Sequence, residues 1–337
     1  MKNNTNILTY FTDLDAATGG FKRGDLILLA SRPAQGKTAL ALDIAYNVAV
    51  MQKLPVAFFS LETGGKVIYE RMACARSQIE RFRISEDMLT KEQWKALTLK
   101  IGELIKAPLF ICDKPNLEVK DIKNNIEELI TKDNKPELIV IDYFDLIKQK
   151  NKQDAIANMQ ALKELAVKLN IPFLVCLQMY RKKEGEPNRP EISDLRYPKI
   201  ADIADLVLLL HREYYYTQDE SQKNSAEILI KTPVQKEIEL KWYSEYCSFS
   251  DMEKPGRAID EKEIEKILKK HWHPAKHSDR SKYNLEILEE VKKFLEKQPD
   301  IRFIQALWAL NIVDKEDRFY EEPEITLAKV KESKVKK

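Results

Sequence analysis

Residues 31–38 contain the groups that bind a phosphate chain. They read Ser31-Arg-Pro-Ala-Gln-Gly36-Lys37-Thr38 and come between an apolar run and a helix-forming stretch. Backbone N–H groups at a helix start bind anions, a lysine in this position reaches the β- and γ-phosphates, and the following hydroxyl binds Mg²⁺. The loop is unusual in having one glycine, Gly36, where such loops are normally rich in glycine. We predict that the following residues bind a nucleoside triphosphate: Ser31, Arg32, Pro33, Ala34, Gln35, Gly36, Lys37 and Thr38.

Three polar side chains that follow other apolar runs complete this chemistry. Asp142 ends the run LIVI, where a carboxylate orients Mg²⁺ together with Thr38. Glu62 follows VAFFSL and is suited to accept a proton from an attacking water. Gln178 follows FLVCL, and its amide is suited to contact the γ-phosphate or to orient that water. We predict Lys37, Glu62 and Gln178 as catalytic residues; the structural alternative is that such strand-end residues only form turns.

Short apolar runs predict the sheet that positions these residues. Runs without polar alternation are typical of parallel strands buried on both faces, and helical patterns separate most of them, which indicates an α/β fold. Ligands bind at the carboxyl ends of such strands, so the predicted residues should converge at one edge. The predicted strands are 26–30, 56–60, 109–112, 138–141, 173–177 and 206–210, and the predicted helices are 38–51, 64–80, 91–105, 119–132 and 154–169.

The C-terminal third has a different pattern. Residues 226–250 predict antiparallel strands at the sheet edge, with Pro233 at the turn between the first two. The predicted domains are a nucleotide-binding domain at 1–252, a linker with a short charged helix at 253–282, and a small helical appendage at 283–337 whose role in docking or self-association stays open. Three histidines at 271, 273 and 277 fall in the linker, and their surroundings favour a linker over a metal site.

Composition sets broad limits. The chain has 337 residues, 44% of them hydrophobic, which is enough for a globular core of about two domains. Its 56 lysines and arginines nearly balance 54 acidic residues, so the net charge of +2 does not by itself indicate nucleic acid. Four scattered cysteines, the absence of a secretory pattern and the absence of a long apolar run predict a cytoplasmic protein that does not enter a membrane.

Two basic segments are candidates for nucleic-acid binding. They follow the strands that end near Asp142 and Gln178, so they should lie on the nucleotide-binding edge of the sheet. Charge alone does not distinguish phosphate contact from plain solvated loops. The candidate contacts are Lys148, Lys150, Lys152, Arg181, Lys182, Lys183 and Arg189.

Several stretches together resemble the C-terminal motor domain of DnaB-type replicative helicases. These include FFSLE, IVIDYFDLI, NRPEISDLR and DIADLVLLLHREYYY, in collinear order from about residue 8 to 252. The resemblance implies a RecA-like fold, ATP with Mg²⁺ as bound cofactors, single-stranded DNA as partner and a hexameric ring of identical subunits. It assigns the phosphate-binding pair to Lys37 and Thr38, the catalytic glutamate to Glu62, the Mg²⁺-orienting acid to Asp142 and the γ-phosphate glutamine to Gln178.

The sequence departs from this family at a hairpin. The family has Lys-x-Arg there, and its arginine reaches the neighbouring subunit's site; this chain has Lys231-Thr232-Pro233. Lys231 and Arg212 are therefore the candidate cations for that trans site, with Lys236 as a further candidate substitute. The motor begins within the first ten residues, so we expect the family's N-terminal domain and linker helix to be absent, which weakens the expectation of a ring.

Two functional hypotheses follow. The preferred one is an ATP-dependent helicase or translocase motor on single-stranded DNA, favoured by Lys37, Glu62, Asp142 and Gln178. The alternative, favoured by the missing arginine, is a nucleotide-dependent DNA-binding or regulatory module that has lost ring-driven unwinding. A small-molecule kinase is weaker, because the sequence has no lid-like arginine cluster.

Overall fold

The predicted strands form one mixed sheet. The computed structural model describes residues 6–86, 88–181 and 189–252, and within them nine strands follow the order β3-β2-β4-β5-β1-β6-β7-β8-β9, with β1 to β6 parallel. Every predicted strand is present, and four of them extend one residue further at their carboxyl ends. The strands are Leu26–Ser31 (β1), Val56–Ser60 (β2), Leu109–Cys112 (β3), Leu138–Asp142 (β4), Phe173–Gln178 (β5), Leu206–His211 (β6), Ser225–Thr232 (β7), Lys236–Tyr243 (β8) and Ser248–Asp251 (β9).

The last three strands are antiparallel, as the sequence predicts. β7 pairs with β6 and β8, β8 pairs with β9, and Pro233 lies in the turn between β7 and β8. Burial alternates along the second half of β8, since one face of this edge packs on the core and the other faces solvent. The prediction of an α/β fold with a mostly parallel sheet and an antiparallel edge is confirmed.

Each of the five predicted helices is present, and two of them differ from the prediction. The predicted helix 64–80 ends earlier, at Ser77, because Gln78 adopts a left-handed conformation with φ of 54°. The predicted helix 38–51 is α-helical to Tyr46 and continues as a π-helical turn at Asn47–Met51. The short helices Thr12–Thr18, Arg81–Ser85 and Tyr214–Thr217 have no counterpart in the prediction. The helices are Thr12–Thr18 (α1), Lys37–Tyr46 (α2), Gly65–Ser77 (α3), Arg81–Ser85 (α4), Lys91–Lys106 (α5), Val119–Thr131 (α6), Lys152–Leu169 (α7) and Tyr214–Thr217 (α8).

Apolar side chains cover both faces of the sheet. One core lies between the sheet and α1, α2, α3 and α5, and the other between the sheet and α6 and α7. In the parallel register Ser31 lies beside Gln178 and Ser60 beside Asp142. The strands therefore end together, and the polar residues that follow them share one edge.

Some predictions fall outside the described residues. These are the linker at 253–282, the helical appendage at 283–337, the three histidines, and the candidate DNA contacts Lys182 and Lys183. Among the helices that the structure describes, none is long and apolar enough to cross a membrane.

Candidate functional site: the nucleotide-binding edge of the sheet

The loop between β1 and α2 needs its single glycine at position 36. Gly36 has φ of +97°, and a Cβ atom there would lie 2.8 Å from Cζ of Phe249 and 3.2 Å from Cζ3 of Trp242. The loop packs directly on the Trp242 ring of β8 and the Phe249 ring of β9. The two ring centroids are 4.6 Å apart, and the ring planes are tilted by 48°. Ala34 also has positive φ, at 63°, so a second position takes the left-handed turn without glycine. One glycine suffices because the close approach occurs at one residue.

Lys37 and Asp142 lie together at the carboxyl edge of the sheet. The Lys37 Nζ atom is 3.5 Å from Oδ1 of Asp142, whose side chain is 2% exposed. The same Nζ atom lies 4.5 Å from the centroid of the Tyr143 ring. Thr38 follows Lys37 in the first turn of α2. Both residues line a cavity that the phosphate-binding loop forms at this edge of the sheet. The lysine, the hydroxyl and the buried carboxylate that the sequence predicted are thus brought to one place.

Glu62 and Gln178 line the cavity that the loop forms, and both are exposed. Partial burial raises the pKa of the Tyr143 hydroxyl, and the carboxylates of Glu62, Asp145 and Asp142 raise it further. The structure brings all the residues that the sequence predicted as catalytic to the rim of a single cavity.

Asp145 is a site residue that sequence reasoning missed. Its Oδ2 atom accepts a hydrogen bond from the Gln178 N–H at 3.2 Å, and its Oδ1 atom lies 3.6 Å from Nη1 of Arg196. Burial raises the pKa of the Asp145 carboxyl, while the Gln178 N–H, Arg196 and Lys37 act in the opposite direction. The only available signal was its place three residues after Asp142. Asp145 fixes the backbone from which Gln178 projects.

Three side chains predicted to contact nucleotide also support the loop itself. Arg32, 5% exposed, donates from Nη2 to Oδ2 of Asp194 at 2.9 Å. The Gln35 side chain is 1% exposed, and its Oε1 accepts from the Arg212 N–H at 2.6 Å. The hydroxyl of Ser31 donates to the Arg32 carbonyl at 3.0 Å. Their roles as nucleotide contacts stay predictions; their hydrogen bonds fix the loop to neighbouring segments.

Arg212 occupies a position that does not fit the predicted trans role. The residue is 9% exposed, its guanidinium carbon lies 4.2 Å from the centroid of the Trp242 ring, and Nη1 is 3.5 Å from the Ala34 carbonyl oxygen. Burial lowers its pKa. The Arg212 side chain thus lies against the loop of its own chain, which favours a role there over the predicted trans role. Lys231, at the end of β7, is half-buried and is not among the residues that line this cavity.

The candidate DNA contacts fall into two groups. Lys148 lies 2.8 Å from Glu118, and Arg189 lies 2.7 Å from Glu237 and 3.2 Å from Glu227, so both cations already have acidic partners. The second group is exposed to solvent beyond the ends of β4 and β5. It comprises Lys150, Lys152 and Arg181.

Asp43 and Arg76 also line the cavity, and no sequence motif predicted a role for them. Arg76 donates to Oδ1 of Asp43 at 2.8 Å, and the same carboxylate accepts from the hydroxyl of Ser248 at 3.0 Å and the N–H of Phe249 at 2.8 Å. Burial raises the pKa of Asp43, while Arg76 and these hydrogen bonds lower it. This carboxylate attaches β9 to α2. The ring of Phe249 is thereby held against Gly36.

Fold and site together define an α/β protein with a P-loop nucleotide site at the carboxyl edge of a mostly parallel sheet. The family model described as the DnaB-like helicase C terminal domain matches residues 6–251. The chain belongs to this family, and the resemblance noted from the sequence is confirmed.

Individual relatives agree with this assignment. The replicative DNA helicase DnaB of Geobacillus stearothermophilus is 38% identical over 272 residues, which cover 77% of this chain and 59% of that protein. A solved DnaB-like replicative helicase, described with its interactions with primase, has a TM-score of 0.69 and 29% identity over 74% of this chain and 62% of its own. A solved ATPase domain has a TM-score of 0.68 and 29% identity over 74% of this chain and 92% of its own. The chain thus matches about three fifths of the length of the DnaB relative and most of that ATPase domain.

Proposed function

We propose that this chain is an ATP-hydrolysing motor domain that acts on single-stranded DNA in replication, in the cytoplasm. The observation that carries the proposal is the 3.5 Å contact between Lys37 and Asp142 at a cavity whose rim includes Glu62 and Gln178. A lysine and a buried acid at the end of a phosphate-binding loop, beside an exposed glutamate, suit phosphoryl transfer to water.

Each residue then has a defined task. The N–H groups at the start of α2 bind the β-phosphate, and Lys37 neutralises the β- and γ-phosphates. Glu62 accepts a proton from the attacking water, and Gln178 contacts the γ-phosphate from its position beside Asp145.

Thr38 and Asp142 are the residues that would hold Mg²⁺. The fit rests on donor chemistry, because Mg²⁺ prefers oxygen ligands and binds through one or two protein groups together with substrate phosphates. Described residues contain no cluster of three His, Cys, Asp or Glu side chains that could hold a metal without nucleotide. Bound Mg²⁺ supplies charge neutralisation between the phosphates.

Single-stranded DNA and further copies of the chain are the proposed partners. Lys150, Lys152 and Arg181 are exposed beyond the strands that carry Asp142 and Gln178, which favours phosphate contact on the nucleotide-binding side. Lys231 is the proposed cation for a neighbouring subunit's site in a ring.

A regulatory module that keeps the ATP site without unwinding DNA is the second candidate. The observation that favours it is the hairpin sequence Lys231-Thr232-Pro233, which has no arginine, together with the inward position of Arg212. A missing trans arginine lowers hydrolysis by about 10³- to 10⁵-fold where a family depends on it.

One set of measurements tests both candidates. ATP hydrolysis by the purified chain is measured with and without single-stranded DNA, alongside the oligomer mass with ATP and DNA unwinding. Lys37→Ala should abolish hydrolysis, and the matched control Lys168→Ala, an exposed lysine in the last turn of α7, should not. A DNA-stimulated, ring-forming ATPase supports the motor; ATP binding without unwinding supports the module. Hydrolysis by Lys37→Ala at the wild-type rate would overturn the proposed site.

A further inference from the structure

An ion pair joins the phosphate-binding loop to a distant segment of the chain. Arg32 is the residue after the end of β1, and Asp194 lies 162 residues further on, in the 3₁₀ turn Ile192–Asp194. The bond from Nη2 of Arg32 to Oδ2 of Asp194 is 2.9 Å long, and the Arg32 side chain is 5% exposed. A buried arginine depends strongly on its carboxylate, because loss of one partner leaves a desolvated charge. The loop and the turn therefore hold each other in position.

Asp194 is itself fixed from both sides. Its Oδ2 atom also accepts from the Glu191 N–H at 2.9 Å, and its own N–H donates to the Glu191 carbonyl at 3.0 Å. Its carbonyl accepts from the Tyr180 N–H at 3.2 Å. One residue thus connects Arg32 to the backbone at Tyr180 and at Glu191. A displacement of Arg32, of the Tyr180 backbone or of the Glu191 backbone therefore strains the hydrogen bonds that Asp194 makes to the other two.

The same region is attached to the first half of the loop by backbone contacts. The Met179 N–H donates to the Ser31 carbonyl at 2.9 Å, and Met179 forms an antiparallel bridge with Leu195. The chain leaves the nucleotide site at Gln178 and returns to the same place at Asp194. Arg181, an exposed candidate DNA contact, lies three residues after Gln178.

We infer that Asp194 is a positioning residue that couples the nucleotide site to the nucleic-acid contacts, through Arg32. Nucleotide held by the loop fixes Arg32, and Arg32 fixes the backbone at Tyr180 and Glu191. Because coupling between two sites is reciprocal, DNA held at Arg181 changes nucleotide binding at the loop by the same free energy. The inference rests on the proposed function, since it assumes that both ligands bind.

Three variants test whether the charge of Asp194 carries the coupling. Asp194→Asn keeps the shape and can still accept the Glu191 N–H, but removes the charge. Asp194→Glu keeps the charge on a longer side chain. The matched control is Glu191→Gln, which changes a carboxylate of the same turn that caps Asp194. ATPγS binding, hydrolysis with and without oligo(dT), and amide hydrogen exchange are measured for each, together with thermal unfolding.

In the wild type and in Glu191→Gln, ATPγS should protect residues 34–40 and also residues 189–196 from exchange. In Asp194→Asn the first protection should remain and the second should disappear, and the stimulation by oligo(dT) should fall about fivefold or more. Asp194→Glu should retain more of the stimulation than Asp194→Asn. A role in shape alone predicts the opposite order, because asparagine is the closer match in size.

The possible failures are distinguishable. If Asp194→Asn keeps both the protection of 189–196 and the stimulation, the coupling is refuted while the proposed function stands. If it loses ATPγS binding or its folded structure and Asp194→Glu does no better, Asp194 is a structural support of the loop and the inference is wrong. If the wild type does not bind ATPγS, the proposed function itself fails.

Discussion

Arg212 lies with its guanidinium carbon 4.2 Å from the centroid of Trp242, and the ring of Trp242 in turn lies against Gly36 of the phosphate-binding loop. The backbone N–H of Arg212 binds the side chain of Gln35 in the same loop. Arginine over a tryptophan face is stabilising by about 0.5–2 kcal/mol, depending on desolvation. The stack supports the loop of its own subunit.

This position predicts the result of subunit mixing. A residue that acts in trans can be supplied by a partner whose own site is dead, whereas a residue that acts in cis cannot. Mixing Arg212→Met with Lys37→Ala should therefore restore no ATP hydrolysis. Mixing Lys231→Ala with Lys37→Ala should restore part of it. Recovery in the Arg212→Met mixture would show that Arg212 reaches a neighbouring site.

Gly36→Ala should damage both stability and nucleotide binding. Alanine at position 36 would have to adopt a φ of +97°, and its Cβ atom would lie 2.8 Å from Cζ of Phe249. The backbone conformation alone costs a non-glycine residue about 1–3 kcal/mol. Chemical denaturation and ATPγS titration measure the two effects. Gly102→Ala is the control, because Gly102 lies inside α5 with open space around it; there alanine should stabilise by about 0.5–1 kcal/mol. Equal effects of the two substitutions would contradict this account of the loop.

Glu62→Gln should separate binding from hydrolysis. Glutamine keeps the size of the side chain at the cavity rim but cannot accept a proton from water, so single-turnover hydrolysis should fall by about 10²- to 10⁴-fold. ATPγS affinity should stay near the wild-type value, because the phosphate contacts come from the loop and Lys37. An unchanged hydrolysis rate would remove Glu62 from the mechanism.

The exposed lysines predict the salt dependence of DNA binding. Lys150→Ala and Lys152→Ala should each reduce the slope of log K against log salt by about 0.7, the value for one phosphate contact on a single strand. Fluorescence anisotropy with labelled oligo(dT) at several salt concentrations measures this slope. Neither substitution should alter ATPγS affinity, and unchanged slopes would make these lysines plain solvated residues.

Lys148 provides an opposite case. Its ammonium group lies 2.8 Å from the Glu118 carboxylate. Lys148 and Lys120 together lower the pKa of Glu118 to about 2. Glu118→Gln should free Lys148 and strengthen DNA binding at low salt. The gain should disappear in the double variant with Lys148→Ala, and a gain that persists would place the effect elsewhere.

Local patterns explain which elements were predictable. The strands that carry Ser31, Asp142 and Gln178 are continuous apolar runs, and the order of glycine, lysine and threonine at 36–38, at the start of a helix, is itself local. The break at Gln78 was missed because nothing in its neighbours required a left-handed residue. Arg212 was assigned a trans role because its only visible feature was a positive charge.

The sequence by itself determined the secondary structure of the sheet and predicted the phosphate-binding residues, because hydrophobic periodicity and loop chemistry act over a few neighbouring positions. Tertiary structure alone decided which partners those residues meet. Arg32 meets Asp194 across 162 residues, and Gln35 meets Arg212 across 177. Both contacts exist because β1 lies between β5 and β6. That order arises from packing of the whole sheet, which no local pattern encodes.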